Sequence, residues 1–269
     1  MKTLEQKKQR GDKPVILAID VGNTNIVIGT IEDGVIGNIV RIHTEPAYTA
    51  AEYGVNIRQL MEFYGIDLKG FEGAIICSVV PPVTGPLCEA VKRLTGLDCQ
   101  IVGPGMKTGL NVRIDDPATL AGDLVVGSVA AIACYGAPAI ILDFGTATTM
   151  VVVDQKGCYR GGSIMPGIKL GLQALSTGTS LLPEISLTAP KKVIGTNTVD
   201  AMRSGAVFAT ASMIDGMADR LEEELGYPCK VIATGSAAKT ITGYCKRKII
   251  CDENLLLKGL WVLYQKNRK

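Results

Sequence analysis

Three carboxylates and two short polar loops are where this chain could do chemistry. Asp20-Val-Gly-Asn-Thr-Asn25 follows the apolar run Val15 to Ile19 and leads into the β-branched run Ile26, Val27, Ile28. The pattern reads as a buried strand that turns sharply and returns as a hairpin. Gly22 lets the backbone approach a ligand closely, and Asn23, Thr24 and Asn25 offer donors of the kind that cradle phosphate oxygens. Asp20, at the strand's end, could hold a hydrated Mg²⁺ or face a transferring phosphoryl group. A D-x-G turn also serves in hairpins that bind nothing, so one copy leaves both readings open.

The second copy is Asp143-Phe-Gly-Thr-Ala-Thr148, which follows the apolar run Ala139 to Leu142 and precedes Val151 to Val153. Two such hairpins about half a chain apart point to a duplicated domain with nucleotide held between the halves. The third carboxylate, Asp123, is flanked by Ala121-Gly122 and Leu124-Val125-Val126. An acidic residue in the first turns of a helix ordinarily compensates the dipole at the surface. These flanks are too apolar for an open surface, and a functional buried carboxylate is the preferred reading.

The elements that position these groups follow from periodicity. Strands are expected at Val15 to Asp20, Asn25 to Ile31 and Val35 to His43, then a helix over Thr49 to Tyr64 with Thr49 as cap. Gly73 to Ser78 is a buried strand, Pro81-Pro82 opens a helix to about Thr95, and Cys99 to Val102 is a short strand. A helix is expected over Pro117 to Cys134, where the domains meet. The second half repeats the order: strands at Ala139 to Asp143, Thr148 to Asp154 and Cys158 to Ile164, then helices at Pro166 to Ser176 and Asn197 to Leu225. Strands at Lys230 to Ala233 and Lys248 to Cys251 and a helix over Asn254 to Tyr264 close the chain. At Asn197-Thr198 a helix cap and a polar ligand contact are both open readings. The expected fold is α/β, two duplicated domains, each a mixed five-stranded sheet flanked by helices. Their bounds are 14–116 and 117–269, after a disordered basic tail over 1–13.

A chain of 269 residues suits two domains, and 47% hydrophobic against 5% aromatic content makes their cores aliphatic. A net charge of +2 without a basic block speaks against nucleic-acid binding. The eight cysteines form no C-x-x-C and keep no histidine company, so reduced thiols are expected, not a zinc site. His43, the single histidine, reads as a surface residue, which leaves carboxylates as candidate bases. The charged N-terminus does not read as a signal peptide, and no apolar run approaches the ~20 residues of a membrane span, so a cytoplasmic location is expected.

The motifs together resemble the acetate and sugar kinase, heat-shock chaperone and actin superfamily, and in detail the type III pantothenate kinases. The resemblance rests on both hairpins and on Ser78-Val-Val-Pro-Pro82, Val102-Gly-Pro-Gly105, Lys107-Thr-Gly-Leu110, Gly161-Gly162, Pro166-Gly167, Gly195, Asn197-Thr198 and Ile232-Ala-Thr-Gly235, in the family's order. It implies two ribonuclease H-like domains of the actin-like ATPase fold, in a cytoplasmic homodimer that transfers the γ-phosphoryl of ATP to pantothenate, the first step toward coenzyme A. By matched position Asp20, Val21, Gly22, Asn23, Thr24, Asn25, Ile26 and Val27 form the phosphate loop and Thr146 contacts ATP. Asp143 holds a monovalent cation, K⁺ or NH₄⁺, and Mg²⁺ accompanies the nucleotide. Asp123 is the general base; Ala121, Gly122, Asp123, Leu124, Ile114 and Thr198 are substrate-site positions.

The chain departs from the family where substrate is recognised. Ala121-Gly122-Asp123-Leu124 stands in place of Gly-Ala-Asp-Arg, so the base is kept and the arginine that would pair with a carboxylate is not. Ile114 replaces a tyrosine, Met150 an aromatic residue and Ser236 a glycine; Gly178, Leu181 and Glu184 stand where basic residues are expected. Three readings follow: a pantothenate kinase with a rebuilt pocket, a kinase of another small hydroxylated molecule, and a non-catalytic homologue acting as a regulator. Retention of Asp20, Asp123 and Asp143 favours chemistry, because a binding module needs no base.

Overall fold

The computed structural model describes residues 15–268, so the tail expected over 1–13 lies outside the described residues. The chain forms two compact units. One comprises the described residues up to Lys107, Ala121–Val126 and the chain from Leu260 onward; the other comprises Thr108–Leu120 and Gly127–Gly259.

In the first unit the apolar runs form β1 (Val15–Val21), β2 (Asn25–Glu32) and β3 (Val35–His43), an antiparallel meander. Helix α1 (Ala50–Phe63) opens on a capping box, in which Thr49 accepts from the Glu52 amide while the Glu52 carboxylate accepts from the Thr49 amide at 2.8 Å. Strand β4 (Gly73–Ser78), helix α2 (Pro81–Thr95) and strand β5 (Cys99–Ile101) follow. The sheet order is β3-β2-β1-β4-β5, with β4 parallel to both β1 and β5. Its core is aliphatic as composition required: Leu17, Ile19, Ile26 and Ile76 pack against Ile57, Val83 and Leu87 of the two helices.

The chain beyond β5 adds what sequence periodicity did not show. Asn111–Val112 form a two-residue strand, β6, ahead of a 3₁₀ turn at Pro117–Thr119 and helix α3 (Gly122–Tyr135). The meander returns as β7 (Ala139–Phe144), β8 (Ala147–Val153) and β9 (Cys158–Pro166), followed by α4 (Ile168–Gly178) and α5 (Thr198–Ser204). A π-helical turn at Gly205–Ala209 joins α5 to α6 (Thr210–Leu225). Strand β10 (Lys230–Gly235), helix α7 (Ala238–Thr242), strand β11 (Ile249–Cys251) and helix α8 (Leu255–Asn267) complete the chain. The order β11-β10-β7-β8-β9-β6 repeats the first sheet, with β6 added in parallel beside β9. This sheet therefore has six strands where five were expected.

Three element bounds are corrected. The helix read from Pro117 starts at Gly122: the Asp116 carboxylate accepts from the Ala118 amide at 3.0 Å and closes a 3₁₀ turn, and Leu120 is extended. Pro166 ends β9 opposite Ala147 and does not open α4, whose N-cap is Gly167. The helix read over Asn197 to Leu225 is interrupted by the π turn. Among the described residues no helix is long and apolar enough to cross a membrane.

Candidate active site

In the first unit, the β1–β2 register pairs Asp20 with Val27 and Val21 with Ile26. The Gly22 amide donates to the Asn25 carbonyl at 3.0 Å, and this closes the loop. Asn23 and Thr24 are exposed at its tip, Gly22 and Asn25 half-buried, and Val21 and Ile26 wholly buried, so those two can offer a ligand only backbone. Thr44, just beyond β3, braces the loop twice: its Oγ1 donates to the Gly22 carbonyl at 2.6 Å and its amide donates to the Thr24 carbonyl at 3.0 Å. Sequence reasoning missed Thr44, whose signal was a hydroxyl directly after a strand facing the loop.

Asp20 also lies beside Cys77 of β4 in the parallel register. Cys77 is buried, and Gly122 packs on it: a Cβ at position 122 would lie 3.1 Å from the Cys77 sulfur. A glycine lets α3 begin this close to β4 without displacing the thiol, and Asp123 is the next residue. Both Asp20 and Asp123 act electrostatically on Cys77, whose thiol is pushed well above its ordinary range first by burial and then by these two carboxylates. The structure thus sets the aspartate of the first hairpin and the candidate base, about a hundred residues apart in sequence, near one thiol.

Asp123 is half-buried in the first turn of α3. Burial raises its carboxyl above the ordinary value, and hydrogen bonds from backbone amides oppose that rise, among them the Leu124 amide to Oδ1 at 2.8 Å. Leu124 is half-buried and Ala121 exposed.

In the second unit, Asp143 pairs with Thr149 and Phe144 with Thr148, which makes the Gly145-Thr146 connection one residue tighter than its counterpart. The Gly145 amide donates to the Ala147 carbonyl at 3.1 Å, and the Gly167 amide to the Thr146 carbonyl at 3.1 Å. Asp143 is half-buried, and Gly235 of β10 comes so near that a Cβ there would lie 2.6 Å from its Oδ1. Beyond Gly167 a cavity of about 770 Å³ is lined by α4, by Gly195–Thr198 and by α5, including Leu172, Leu175 and Met202. Asn197 is the N-cap of α5, accepting from the Asp200 amide at 2.9 Å, which leaves exposed Thr198 on the cavity wall. Ile114 lies apart from that cavity, with its Cγ2 3.6 Å from where a Cβ on Gly161 would stand.

A doubly repeated hairpin carrying an aspartate at each first strand's end, in this sheet order, is the fold of the actin-like ATPases and sugar kinases. Solved structures with it include a putative 2-dehydro-3-deoxygalactonokinase from Sinorhizobium meliloti, at TM-score 0.60 and 12% identity over 94% of this chain and 97% of that one. Component A of the (R)-2-hydroxyglutaryl-CoA dehydratase of Acidaminococcus fermentans aligns at TM-score 0.55 and 14% identity, covering 93% and 97%. Residues 16–220 match the type III pantothenate kinase family. The type III pantothenate kinase of Halalkalibacterium halodurans is 42% identical over 253 residues, 94% of this chain and 100% of that protein. The chain belongs to the type III pantothenate kinase family.

Proposed function

We propose that the chain transfers the γ-phosphoryl group of ATP to the primary hydroxyl of pantothenate, the entry step of coenzyme A synthesis. The observation that carries this reading, beyond family membership, is that the β1–β4 register sets Asp20 beside Cys77 while Gly122, the residue before Asp123, packs on the Cys77 sulfur. Phosphoryl transfer needs an aligned hydroxyl, a base within reach of its proton and positive charge around the phosphates. Asp123 is that base. A carboxylate raised by burial is a stronger proton acceptor than an exposed one. Leu124 N–H orients Oδ1, which leaves Oδ2 for the substrate hydroxyl.

The backbone amides of the loop from Asp20 to Val27 and the side chains of Asn23, Thr24 and Asn25 bind the phosphates, and Thr146 contacts the nucleotide. Mg²⁺ fits this donor set: among the described residues no group of three or more metal-ligating side chains forms a protein cage, and Mg²⁺ bound to phosphate uses one or two carboxylates and water. Asp20 would hold it, and it would neutralise charge on the phosphates. Asp143, which Gly235 approaches closely, would hold the monovalent cation, K⁺ or NH₄⁺, by position in the family. Thr198 receives the polar end of pantothenate, and Ala121, Gly122, Leu124 and Ile114 contribute shape without charge.

The protein works as a cytoplasmic homodimer. Leu175 (41% exposed), Leu181 (89%), Val193 (63%) and Ile194 (80%) are large apolar side chains on or next to the segments that line the second unit's cavity. Large exposed apolar side chains close together in sequence suit an interface.

The test is ADP release by the purified protein with millimolar ATP, Mg²⁺ and K⁺, with and without pantothenate, beside Asp123→Asn. Turnover that requires pantothenate and is lost in the variant establishes the reading. No turnover above the variant, with pantothenate saturating, refutes it in favour of a regulatory homologue.

A further inference from the structure

Thr44 follows β3, and β2 separates that strand from β1 in the sheet. It nevertheless reaches the β1–β2 loop at two points. The bond from its amide to the Thr24 carbonyl at 3.0 Å extends the β2–β3 ladder one step past the Asn25–His43 pair. The bond from its Oγ1 to the Gly22 carbonyl at 2.6 Å has no ladder counterpart, because Gly22 stands on the far side of the turn. From the other flank the Val79 amide donates to the Val21 carbonyl at 3.0 Å, and within the loop the Gly22 amide donates to the Asn25 carbonyl. The carbonyl oxygens of Val21, Gly22, Thr24 and Asn25 thus each accept a bond from inside the protein.

A trans peptide is planar and points its C=O and its N–H to opposite sides. The only cis bond among the described residues is Ala137–Pro138, so the Gly22–Asn23 peptide is trans. Holding the Gly22 carbonyl on Thr44 therefore fixes the Asn23 N–H in the direction away from Thr44. An anion is drawn to amide hydrogens and repelled by carbonyl oxygens, and this one peptide decides which of the two the loop tip presents. Thr44 is itself held. The backbone of the next residue, Glu45, is clamped by Tyr53 of α1: the Glu45 amide donates to the Tyr53 hydroxyl at 3.2 Å, and that hydroxyl donates to the Glu45 carbonyl at 2.8 Å. Tyr53 is wholly buried in the core of the first unit, so the loop is tied through Thr44 and Glu45 to α1.

We propose that Thr44 is a positioning residue for the nucleotide: its hydroxyl holds the Gly22–Asn23 peptide so that the Asn23 N–H faces the phosphates. This rests on the reading of the first hairpin as the phosphate loop. Thr44 acts through Gly22 and does not itself touch the ligand. Valine has nearly the shape of threonine and keeps the amide bond to Thr24, but leaves the Gly22 carbonyl without its hydroxyl donor. Gly22 has no Cβ to resist rotation, and the freed peptide can turn its oxygen toward the phosphates.

The test compares the native protein with Thr44→Val and Thr44→Ser, first by titration with the β,γ-imido analogue of ATP and then by steady-state turnover with ATP and pantothenate. Thr44→Val should weaken binding of the analogue and raise KM for ATP on the order of tenfold, with KM for pantothenate unchanged. Thr44→Ser keeps the hydroxyl and should recover most of the lost affinity. Native affinity in Thr44→Val overturns the proposal. So does a loss that serine fails to recover, or one that raises both KM values alike, because these mark a general structural role. Binding of the analogue by the native protein without turnover counts against the kinase reading alone, and the titration still decides the role of Thr44. No binding by the native protein at millimolar analogue overturns both.

Discussion

Gly122 rests on Cys77 so closely that a methyl group at position 122 would stand 3.1 Å from the sulfur. This contact sets where α3 begins and hence where Asp123 is held. Gly122→Ala, which would gain about 1 kcal/mol of helix propensity in an open helix interior, should instead lose about 1–3 kcal/mol through overpacking. Turnover should drop on the order of tenfold with little change in KM. Adding Cys77→Ala removes the clash, so the double variant should recover both; thermal unfolding and kinetics on the four proteins of the cycle decide it.

Asp123→Asn keeps shape and removes the base. The expected loss is about 10²–10⁴-fold in kcat with KM for pantothenate little changed. In the native enzyme kcat/KM should fall on acidification with an apparent pKa above the ordinary aspartate value of 3.8, because burial disfavours the ionised form.

The same carboxyl acts on stability with the opposite sign. Its folded-state pKa is raised, so its ionisation costs stability fully above that raised value and not at all below the unfolded value. Asp123→Asn should therefore melt at a higher temperature than the native protein near neutral pH. That advantage should shrink as pH falls through the window and vanish below about 3.9, the unfolded aspartate value. A set of melting curves across pH tests it.

Gly235 has φ +91°, and a Cβ there would lie 2.6 Å from both Asp143 Oδ1 and the Phe144 carbonyl. Gly235→Ala combines left-handed strain with a clash and should cost about 2 kcal/mol or more. With the cation held at Asp143 as proposed, it should also raise the K⁺ concentration needed for half-maximal rate.

Leu124→Arg restores a guanidinium beside the base. If pantothenate's carboxylate approaches this position, its KM should fall about tenfold, while the analogue bearing an alcohol in place of the carboxylate gains nothing. An equal gain for both compounds would place the carboxylate elsewhere.

Much of the fold was legible because long apolar runs with strict periodicity have one solution. The meander of the first unit and the strand at Gly73 were read to within a residue, as was the Thr49 cap. Asp123 was legible from its flanks: a carboxylate among leucine and valine must be buried, and the structure half-buries it. What escaped was short or set by tertiary contact. β6 has two residues and α7 five, too few for any period to register. The break before α3 falls at Leu120-Ala121, both good helix formers, and is imposed by the Asp116 cap upstream. Thr44 and Cys77 carry no motif of their own; their roles come from the register that sets them beside Gly22, Asp20 and Gly122.

The π turn at Gly205–Ala209 keeps the phase of what stands before it. A wide turn holds one residue more than an α-helical turn in nearly the same rotation, so the faces on either side keep their directions. Deleting a single residue there would let α5 and α6 fuse into one ordinary helix with Thr198 and Met202 still on the cavity wall, whereas deleting one from an unbroken α-helix would turn everything upstream by about 100°. The bulge thus acts as slack in a rope: a length change of one residue is taken up at this point, and the pocket keeps its aim.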